Sequence, residues 1–426
     1  MERSPGLVPP LRGIAYSLRP WPPREERALD VFQKCRDDRR AELLRAADLY
    51  PYFRALGSGQ DAEVEIAGRR MLMLGSNNYL GLTRHPEVVG AARKALERYG
   101  TGCAGSRLLN GTLEIHEELE ARLAGFLGRE AALTFSTGFQ VNLGVLSCLL
   151  GRRDVAFLDA LDHACILDGV RLGFGRMRKF RHNDMGHLEA RLAAEDRERG
   201  HLVVVDGVYS MEGDLCPLDQ VTELKARHGA RLMVDDAHGL GVFGEHGRGT
   251  PEHFGVEEGV DLLMGTFSKS LASVGGFVAG PAEVIDFIRH HARSGIFSAA
   301  LPPASAAAAL RALELVEREP ERRKRLWELT RFLKAGLDDL GFDTRRSASP
   351  VIPILVGDEA RTFRVVRELH ERGLFVNCVI PPAVPPGSAM IRTSLMATHT
   401  HAQLERALDI LAQVLRAEDV RPLCGA

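Results

Sequence analysis

The segment MGTFSKSLASVGG, residues 264–276, holds a lysine in an unusual setting. An apolar run, VDLLM, leads into it, and Lys269 stands between Ser268 and Ser270. Lysine normally lies on exposed faces because its ammonium is strongly hydrated. At the end of a buried strand the loss of water disfavours the ammonium, and the neutral amine can then form a Schiff base with a carbonyl. The residue types therefore indicate covalent chemistry at Lys269.

Further polar segments follow the carboxyl ends of predicted strands. They are DGVYSMEGD at 206–214, DDAHG at 235–239 and GTFSK at 265–269. In a parallel sheet these ends share one edge, which is where open α/β folds bind ligands. The segment DHA at 162–164 adds the imidazole of His163. We therefore expect an acid, imidazoles, hydroxyls and one lysine to meet in one crevice.

Pyridoxal 5′-phosphate (PLP) is a cofactor whose functional groups match these side chains. Its aldehyde can take Lys269, its protonated ring nitrogen can pair with a buried aspartate, and its phosphate needs hydroxyl and backbone donors. The stretch FSTGFQVN at 135–142 offers such donors, with a glycine before a helix whose N-terminus favours anions. Taken singly, Lys269, His163 and His238 have ordinary structural explanations, and it is their combination that predicts a PLP site.

Two other motifs in the sequence compete with this interpretation. GLGVFG at 239–244 matches GxGxxG, but the Gly- and Pro-rich sequence after it does not allow the helix that a dinucleotide-binding fold requires. VDDAH, ending at His238, resembles a cluster of metal ligands, but the PLP interpretation explains it better. We therefore expect neither a dinucleotide nor a metal.

The pattern of elements predicts an α/β fold with a mostly parallel central sheet flanked by helices. Continuous apolar strands such as LVVVD and RLMVD indicate burial on both faces of the sheet. One helix is expected over 305–340, and shorter strands then alternate with two helices. We divide the chain into an N-terminal arm and helix (1–60), a large cofactor-binding domain (61–310) and a small C-terminal α+β domain (311–426).

Composition restricts the classes of partner. The 426 residues carry a formal net charge of −2, which argues against nucleic-acid binding. Seven cysteines without a CxxC pair signal neither disulfides nor a zinc site, so a cytoplasmic location is expected. No apolar run reaches the roughly 18 residues of a spanning helix. The arginines of the N-terminal arm leave peripheral membrane contact open.

Several longer motifs resemble one enzyme family. NNYLGL, GTGCAGSRLLNGT, STGFQVN, DGVYSMEGD, VDDAHGLGVFGEHGRG and GTFSKS resemble the α-oxoamine synthases, fold-type I PLP enzymes that condense an amino acid with an acyl-CoA and release CO₂. The resemblance runs from about residue 30 to the end. It implies that Lys269 forms the Schiff base and Asp235 pairs with the pyridine nitrogen. It also implies that His238 bonds the phenolic oxygen and His163 stacks on the ring.

The same resemblance implies further cofactor contacts and a dimer. The contacts near the phosphate or ring are Thr266, Ser268, Ser210 and the backbone of Gly138 and Phe139. The family is homodimeric with active sites at the interface, and Ser298 would reach the phosphate of the neighbouring subunit.

The C-terminal segment FVNCVIPPAVPPGSAMIRTSLMATHT is similar to the serine palmitoyltransferase branch of that family. This similarity implies L-serine and a long-chain acyl-CoA, such as palmitoyl-CoA, as substrates. Arg392 would handle the amino-acid carboxylate, with Asn77 and His163 as further substrate contacts. Relatives in the biotin pathway carry an arginine where this chain has Ile380. This difference weakens the assignment of the chain to the biotin pathway. A sister synthase using glycine or alanine remains the alternative, and a non-catalytic regulatory subunit would be expected to lack Lys269.

Overall fold

The structure is a computed structural model and describes residues 30–420; the predicted arm before residue 28 lies outside the described part. The strands are β1 (Glu63–Ile66), β2 (Arg69–Met73), β3 (Ala131–Phe135), β4 (Asp154–Asp159), β5 (Arg176–Phe180), β6 (Gly200–Asp206), β7 (Arg231–Asp235), β8 (Leu262–Thr266), β9 (Gly276–Gly280), β10 (Val351–Gly357), β11 (Leu374–Phe375), β12 (Asn377–Val379) and β13 (Ala389–Ser394).

The helices surround these strands, with one turn of 3-10 helix at Glu257–Gly259. They are α1 (Gln33–Asp37), α2 (Arg40–Ala46), α3 (Pro86–Tyr99), α4 (Glu114–Phe126), α5 (Gly138–Leu149), α6 (Ala164–Leu172), α7 (Met185–Ala193), α8 (Leu218–His228), α9 (Thr250–Phe254), α10 (Ala282–His291), α11 (Arg293–Ile296), α12 (Pro303–Arg318), α13 (Pro320–Asp339), α14 (Glu359–Glu371) and α15 (His401–Ala417).

The largest sheet within residues 30–420 has seven strands in the order β3-β9-β8-β7-β6-β4-β5. Strand β9 runs antiparallel to β3 and β8, and the remaining pairs along the sheet are parallel. The predicted mostly parallel sheet is therefore confirmed. Its register places Asp206 opposite Asp235 and Asp235 opposite Met264, so the polar ends of β6, β7 and β8 meet at one edge.

The continuous apolar strands are buried on both faces, as predicted. In β6, Val203 and Val205 pack into one hydrophobic cluster, whereas Leu202 and Val204 pack into another on the opposite face. This alternation follows from the two-residue period of a strand. Helices cover both faces, so the sheet is shielded from water and holds its strand ends in fixed positions.

Two smaller sheets contain the strands of the C-terminal part of the chain. One has the order β10-β13-β12 with antiparallel pairs, and it carries Arg392 on β13. The other joins the N-terminal hairpin β1–β2 to β11 through the parallel pair Leu72 and Leu374. The division at 1–60, 61–310 and 311–426 stays a prediction.

Two predicted helices are interrupted. The helix expected over 305–340 is in fact α12 and α13, which separate at Glu319 because Pro320 lacks an N–H and its ring excludes a continuous helix. The helix predicted within residues 1–60 is in fact two short helices, α1 and α2. Between them, the side chain of Asp38 accepts a hydrogen bond from the Arg40 amide at 3.1 Å, an alternative to continued helix.

A strand that begins seven residues after Lys269 was not revealed by the sequence. Gly276–Gly280 is β9, and it is fully buried between β3 and β8. A Cβ at Gly276 would lie 2.7 Å from Cα of Gly138, so glycine permits β9 to pass directly against the start of α5. Across the described chain, no helix has the length and apolar character needed to traverse a bilayer.

Candidate active site

Lys269 lies in a tight loop just beyond the end of β8. The Phe267 amide donates to the Gly275 carbonyl at 2.9 Å, and the Ser273 amide donates to the Phe267 carbonyl at 2.8 Å. The Phe267 ring is fully buried and stacks on Phe277 with ring centroids 5.8 Å apart. These contacts anchor the loop and direct Lys269 towards the carboxyl edge of the sheet.

A cavity of about 280 Å³ opens at this edge. It brings together nine of the ten residues predicted to hold a cofactor. Its lining comprises Thr137, Gly138, Phe139, His163, Cys165, Asp206, Ser210, Asp235, Ala237, His238, Met264, Thr266, Ser268, Lys269, Val274 and Gly275. The sequence therefore identified most of one real crevice, built by the ends of β4, β6, β7 and β8 together with the start of α5.

The environment of Lys269 favours its neutral amine. Burial lowers the pKa of Lys269 to about 8, against the opposing effect of the nearby Asp235 and Asp206 carboxyl groups. The positive guanidinium of Arg392 lowers it further. The residue stays partly exposed to the cavity that it lines. The amine is therefore accessible, and about a tenth of it is unprotonated at pH 7, far more than for a solvated lysine.

Asp235 ends β7 and is held by two donors. Its Oδ2 accepts from Nδ2 of Asn142 at 2.7 Å, and its Oδ1 accepts from the amide of Ala237 at 3.0 Å. The Asn142 side chain is fully buried in α5, one helical turn after Gly138. The carboxylate is thus fixed in orientation at the wall of the cavity.

His163 caps the N-terminus of α6 at the exposed mouth of the cavity. Its Nδ1 accepts from the Cys165 amide at 3.3 Å and contacts the Cys165 thiol at 2.8 Å. Because the amide can only donate, Nδ1 is an acceptor and the ring proton lies on Nε2. The ring also packs edge-on against Phe139, with centroids 6.5 Å apart.

His238 belongs to a second hydrogen-bonded chain. Its Nδ1 lies 2.7 Å from the hydroxyl of Tyr79, which also accepts from Arg392. The hydroxyl lies 2.7 Å from His238 Nδ1 but 3.4 Å from its other acceptor, Oδ1 of Asn77, so its proton is best placed for His238, and Nε2–H is then the donor of that ring. Burial, together with Lys269 and Arg392, holds the pKa of His238 well below its usual value, so the ring is neutral.

Arg392 contacts Asn77, one of the two other predicted substrate-binding residues. Its Nε donates to the Ser210 carbonyl at 2.6 Å, and its Nη2 donates to Oδ1 of Asn77 at 3.1 Å. The guanidinium is buried beside the cavity. Arg392 and Asn77 therefore form one cationic corner adjoining the wall that Ser210 contributes.

The start of α5 provides an anion-binding end. Thr137 caps the helix by accepting from the Gln140 amide at 3.2 Å, while the amides of Gly138 and Phe139 belong to the first turn, which has no helical acceptors. Thr266 lies 2.9 Å from Ser268 through their hydroxyls. Hydroxyls, free amides and a helix N-terminus thus converge at one end of the cavity.

Ser298 is the predicted cofactor residue that does not line this cavity. Its hydroxyl accepts from Nε2 of Gln140 at 3.1 Å. The expected contact of Ser298 with the phosphate of a neighbouring subunit stays a prediction.

The second acid of VDDAH has a structural role. Asp236 accepts from the amide of Thr250 at 2.9 Å and from its hydroxyl at 2.6 Å, and it is fully buried. Burial raises the pKa of Asp236 to about 7, partly offset by those two bonds. The GxGxxG match at 239–244 forms turns, and the next helix begins only at Thr250.

The cavity fits PLP on its own chemistry. It offers a reactive amine, an oriented carboxylate, a neutral imidazole donor and an anion-binding helix start. A Cβ at Gly138 would lie 2.8 Å from Oγ1 of Thr266, so glycine leaves the anion-binding end open. This donor set corresponds to the aldehyde, ring nitrogen, phenolic oxygen and phosphate of the cofactor.

Sequence reasoning missed several residues of the site. Asn142 and Tyr79 lie inside motifs that the sequence singled out, but their hydrogen-bonding roles were not assigned. A buried amide in an otherwise apolar helix was the available signal for Asn142. Cys165, two residues after His163, had no comparable signal.

Comparisons with known proteins agree with this geometry. The family model described as "Aminotransferase class I and II" matches residues 69–411. The serine palmitoyltransferase of Sphingobacterium spiritivorum is 52% identical over 382 residues, which is 90% of this chain and 96% of that protein. The 8-amino-7-oxononanoate synthase of Geobacter sulfurreducens is 47% identical over 377 residues, 88% of this chain and 96% of that protein.

A solved structure matches closely as well. A variant of serine palmitoyltransferase from S. paucimobilis, with a bound PLP–myriocin aldimine, has a TM-score of 0.89 and 36% sequence identity. The match covers 92% of this chain and all of the other. The chain therefore belongs to the class I and II aminotransferase family, has the fold of fold-type I PLP enzymes, and is a PLP-dependent acyltransferase.

Proposed function

We propose that this enzyme condenses L-serine with a long-chain acyl-CoA, palmitoyl-CoA in the simplest case. The products are 3-ketodihydrosphingosine, CoA and CO₂, which is the first step of sphingolipid synthesis. The observation that carries the proposal is an apolar groove that opens beside Arg392. Arg40, the other cation that lines it, is already paired with Glu359 at 2.6 Å, so the groove suits an acyl chain that ends in a methyl group rather than in a carboxylate.

The groove has a volume of about 600 Å³ and adjoins the cavity directly. Ser210 lines the cavity, Met211 lines the groove, and Arg392 in the groove donates to the Ser210 carbonyl at 2.6 Å. Apolar side chains dominate its walls: Ala41, Leu44, Met211, Val379, Ile380, Pro381, Pro382 and Ala383. A chain in this groove would have its thioester near the amino-acid site.

The proposed roles of the residues follow from their positions. Lys269 would hold the aldehyde of PLP, Asp235 its ring nitrogen, and His238 Nε2–H its phenolic oxygen. Thr266, Ser268 and the first turn of α5 would hold the phosphate. When bound, PLP supplies an electron sink for the amino-acid Cα.

The reaction then requires proton transfer at one carbon. The amine of serine would first replace Nζ of Lys269 at the aldehyde carbon, which frees Nζ to take the Cα proton. Cα then bonds to the thioester carbonyl carbon, and the CoA thiolate leaves. The carboxylate next departs as CO₂, and a proton replaces it on Cα. Arg392 and Asn77 bind the carboxylate, and His163 at the cavity mouth covers the reacting face.

A sister reaction is the second candidate. The 8-amino-7-oxononanoate synthase relative, at 47% identity, is nearly as similar as the serine palmitoyltransferase at 52%. A synthase that uses glycine or alanine with another acyl-CoA, including the 2-amino-3-ketobutyrate CoA ligase type, would keep the same PLP residues. The acyl groove and the amino-acid preference distinguish the two functions.

The substrate pair is tested by measuring CoA release from the holoenzyme. L-Serine, glycine and L-alanine are each combined with palmitoyl-, pimeloyl- and acetyl-CoA. We expect serine with palmitoyl-CoA to have the highest kcat/KM, by about 100-fold over the other pairs, a factor that site-based selection can supply. A preference for glycine with pimeloyl-CoA would contradict the proposal and identify the sister function.

Blocking the groove tests where the acyl chain lies. Ala41 on α2 lines the groove, and Ala41→Trp would fill part of it. We expect kcat/KM for palmitoyl-CoA to fall about tenfold or more, with a smaller loss for a shorter acyl-CoA, because overpacking excludes the longer chain first.

The matched control is Leu43→Trp, since Leu43 is also on α2 but is exposed and outside the groove. It is expected to leave both values unchanged. Equal effects of the two substitutions, or no effect of Ala41→Trp, would show that the acyl chain binds elsewhere.

We also propose a homodimer with active sites at the interface. Several large apolar side chains are exposed, including Leu109 (79%), Phe297 (74%) and Val274 (54%). Val274 and the exposed Phe139 line the cavity itself. A partner subunit would cover this apolar rim, as exposed patches of this kind often require.

Mass photometry measures the assembly directly. The chain has a mass of 46.7 kDa, and we expect a particle of twice that mass. Leu109→Asp combined with Phe297→Asp should produce monomers with much reduced activity, because charge is costly at an apolar interface. A fully active monomer would refute the interfacial site.

A further inference from the structure

His182 lies between two carboxylates at the end of β5. Its Nδ1 is 2.9 Å from Oδ1 of Asp159, and its Nε2 is 2.9 Å from Oδ2 of Asp214. The ring packs edge-on against Tyr209, with centroids 4.5 Å apart. None of the roles proposed above uses His182, although Asp159 ends the strand that leads to His163.

Burial alone would lower the pKa of His182, but hydrogen bonds and charges from Asp159 and Asp214 outweigh it and raise that pKa to about 10. The ring is therefore an imidazolium at neutral pH and donates to both acids. The Asn183 amide adds a donor to Asp159 Oδ2 at 2.8 Å. The fully buried Asp159 thus has a cation and backbone donors around it.

A continuous set of hydrogen bonds leads from this imidazolium to His163. Asp162 accepts from the amide of Asp159 at 2.8 Å and from the amide of Asp206 at 3.1 Å. Asp206 in turn accepts from the amide of His163 at 2.7 Å. The segment 159–163 is therefore held by side chains at each end.

Burial and mutual repulsion destabilise the ionised forms of the acids in this set. Burial raises the pKa of Asp162 well above its usual value, and the neighbouring Asp206 and Asp159 add to that effect. The same holds for Asp206, through burial and then Asp235. Among the residues that the structure describes, His182 is the cation that hydrogen-bonds to these acids, through Asp159. Removing that charge would leave Asp159 as an unpaired buried acid, which is costly.

We propose that His182 is a positioning residue, whose contacts with Asp159 and Asp214 fix the segment 159–163 and thereby set the place of His163 over the cofactor site. The link from His182 to the segment rests on geometry alone. The consequence for the cofactor rests on the role proposed above for His163. The two parts call for separate measurements.

Hydrogen–deuterium exchange of the cofactor-free enzyme tests the first part. In His182→Ala we expect the backbone amides of residues 159–166 to exchange at least about tenfold faster than in the parent, relative to the rest of the sheet. His182→Gln keeps one donor without the charge and should give an intermediate increase. The matched control is His187→Ala, because His187 lies five residues away and its ring accepts from the nearby Arg181 amide at 2.9 Å, outside this set of acids.

The second part uses the PLP-loaded enzyme. The circular dichroism of bound PLP should weaken in His182→Ala, and kcat should fall about 10- to 100-fold, since a small misplacement of a reacting group has that effect. His187→Ala should change neither, even if its thermal stability falls equally.

The outcomes separate the claims. Uniform acceleration of exchange, or global unfolding of both His182 variants while His187→Ala folds, would overturn the positioning assignment. Local acceleration with unchanged circular dichroism and kcat would overturn the consequence for His163 and its proposed role, but leave the link itself standing. Faster exchange in His187→Ala at residues 159–166 would also count against the proposal.

Discussion

The burial of an amine opposite carboxylates at one sheet edge is the constraint on which the rest of the site depends. Parallel strands β6, β7 and β8 end side by side. Asp206, Asp235 and the loop of Lys269 therefore lie next to one another. Each charge alone would be costly in a crevice with little water. The ammonium of Lys269 offsets the two carboxylates, which repel each other, and burial still leaves the amine less basic than usual.

Hydrogen bonds to the backbone and to buried side chains decide which proton sits where. Cys165 fixes the tautomer of His163, and Tyr79 fixes that of His238. Asn142 orients Asp235 from a helix that also supplies the anion-binding turn. The orientation and protonation of the groups that would touch the cofactor are thus fixed by the residues that hydrogen-bond to them. The same logic extends to the apolar groove, where Arg392 connects its wall to the cavity through the Ser210 carbonyl.

Much of this site was predictable because its residues end predicted strands. Lys269, Asp235 and His238 follow apolar runs, and the shared edge of a parallel sheet brings such positions together. Side-chain contacts between distant segments could not be predicted from the sequence. The contacts of Tyr79 with His238, and of His182 with Asp159 and Asp214, depend on side-chain geometry. The helix break at Pro320 was available from proline's missing N–H and was overlooked. Strand β9 was hidden because its glycines suggest a loop until the close passage against α5 is known.

The most direct test of this account is the pKa of Lys269 in the cofactor-free enzyme, obtained from the pH dependence of its reaction with an amine-labelling reagent. A folded-state pKa of about 8, lowered from 10.5, means that the ammonium dominates below pH 8 and the reactive amine above it. At pH 7 about a tenth of the side chains would then be neutral. Labelling should therefore rise through pH 8 and level off above it. A rate that keeps rising to pH 10 or beyond would show an ordinary solvated lysine and contradict the central claim.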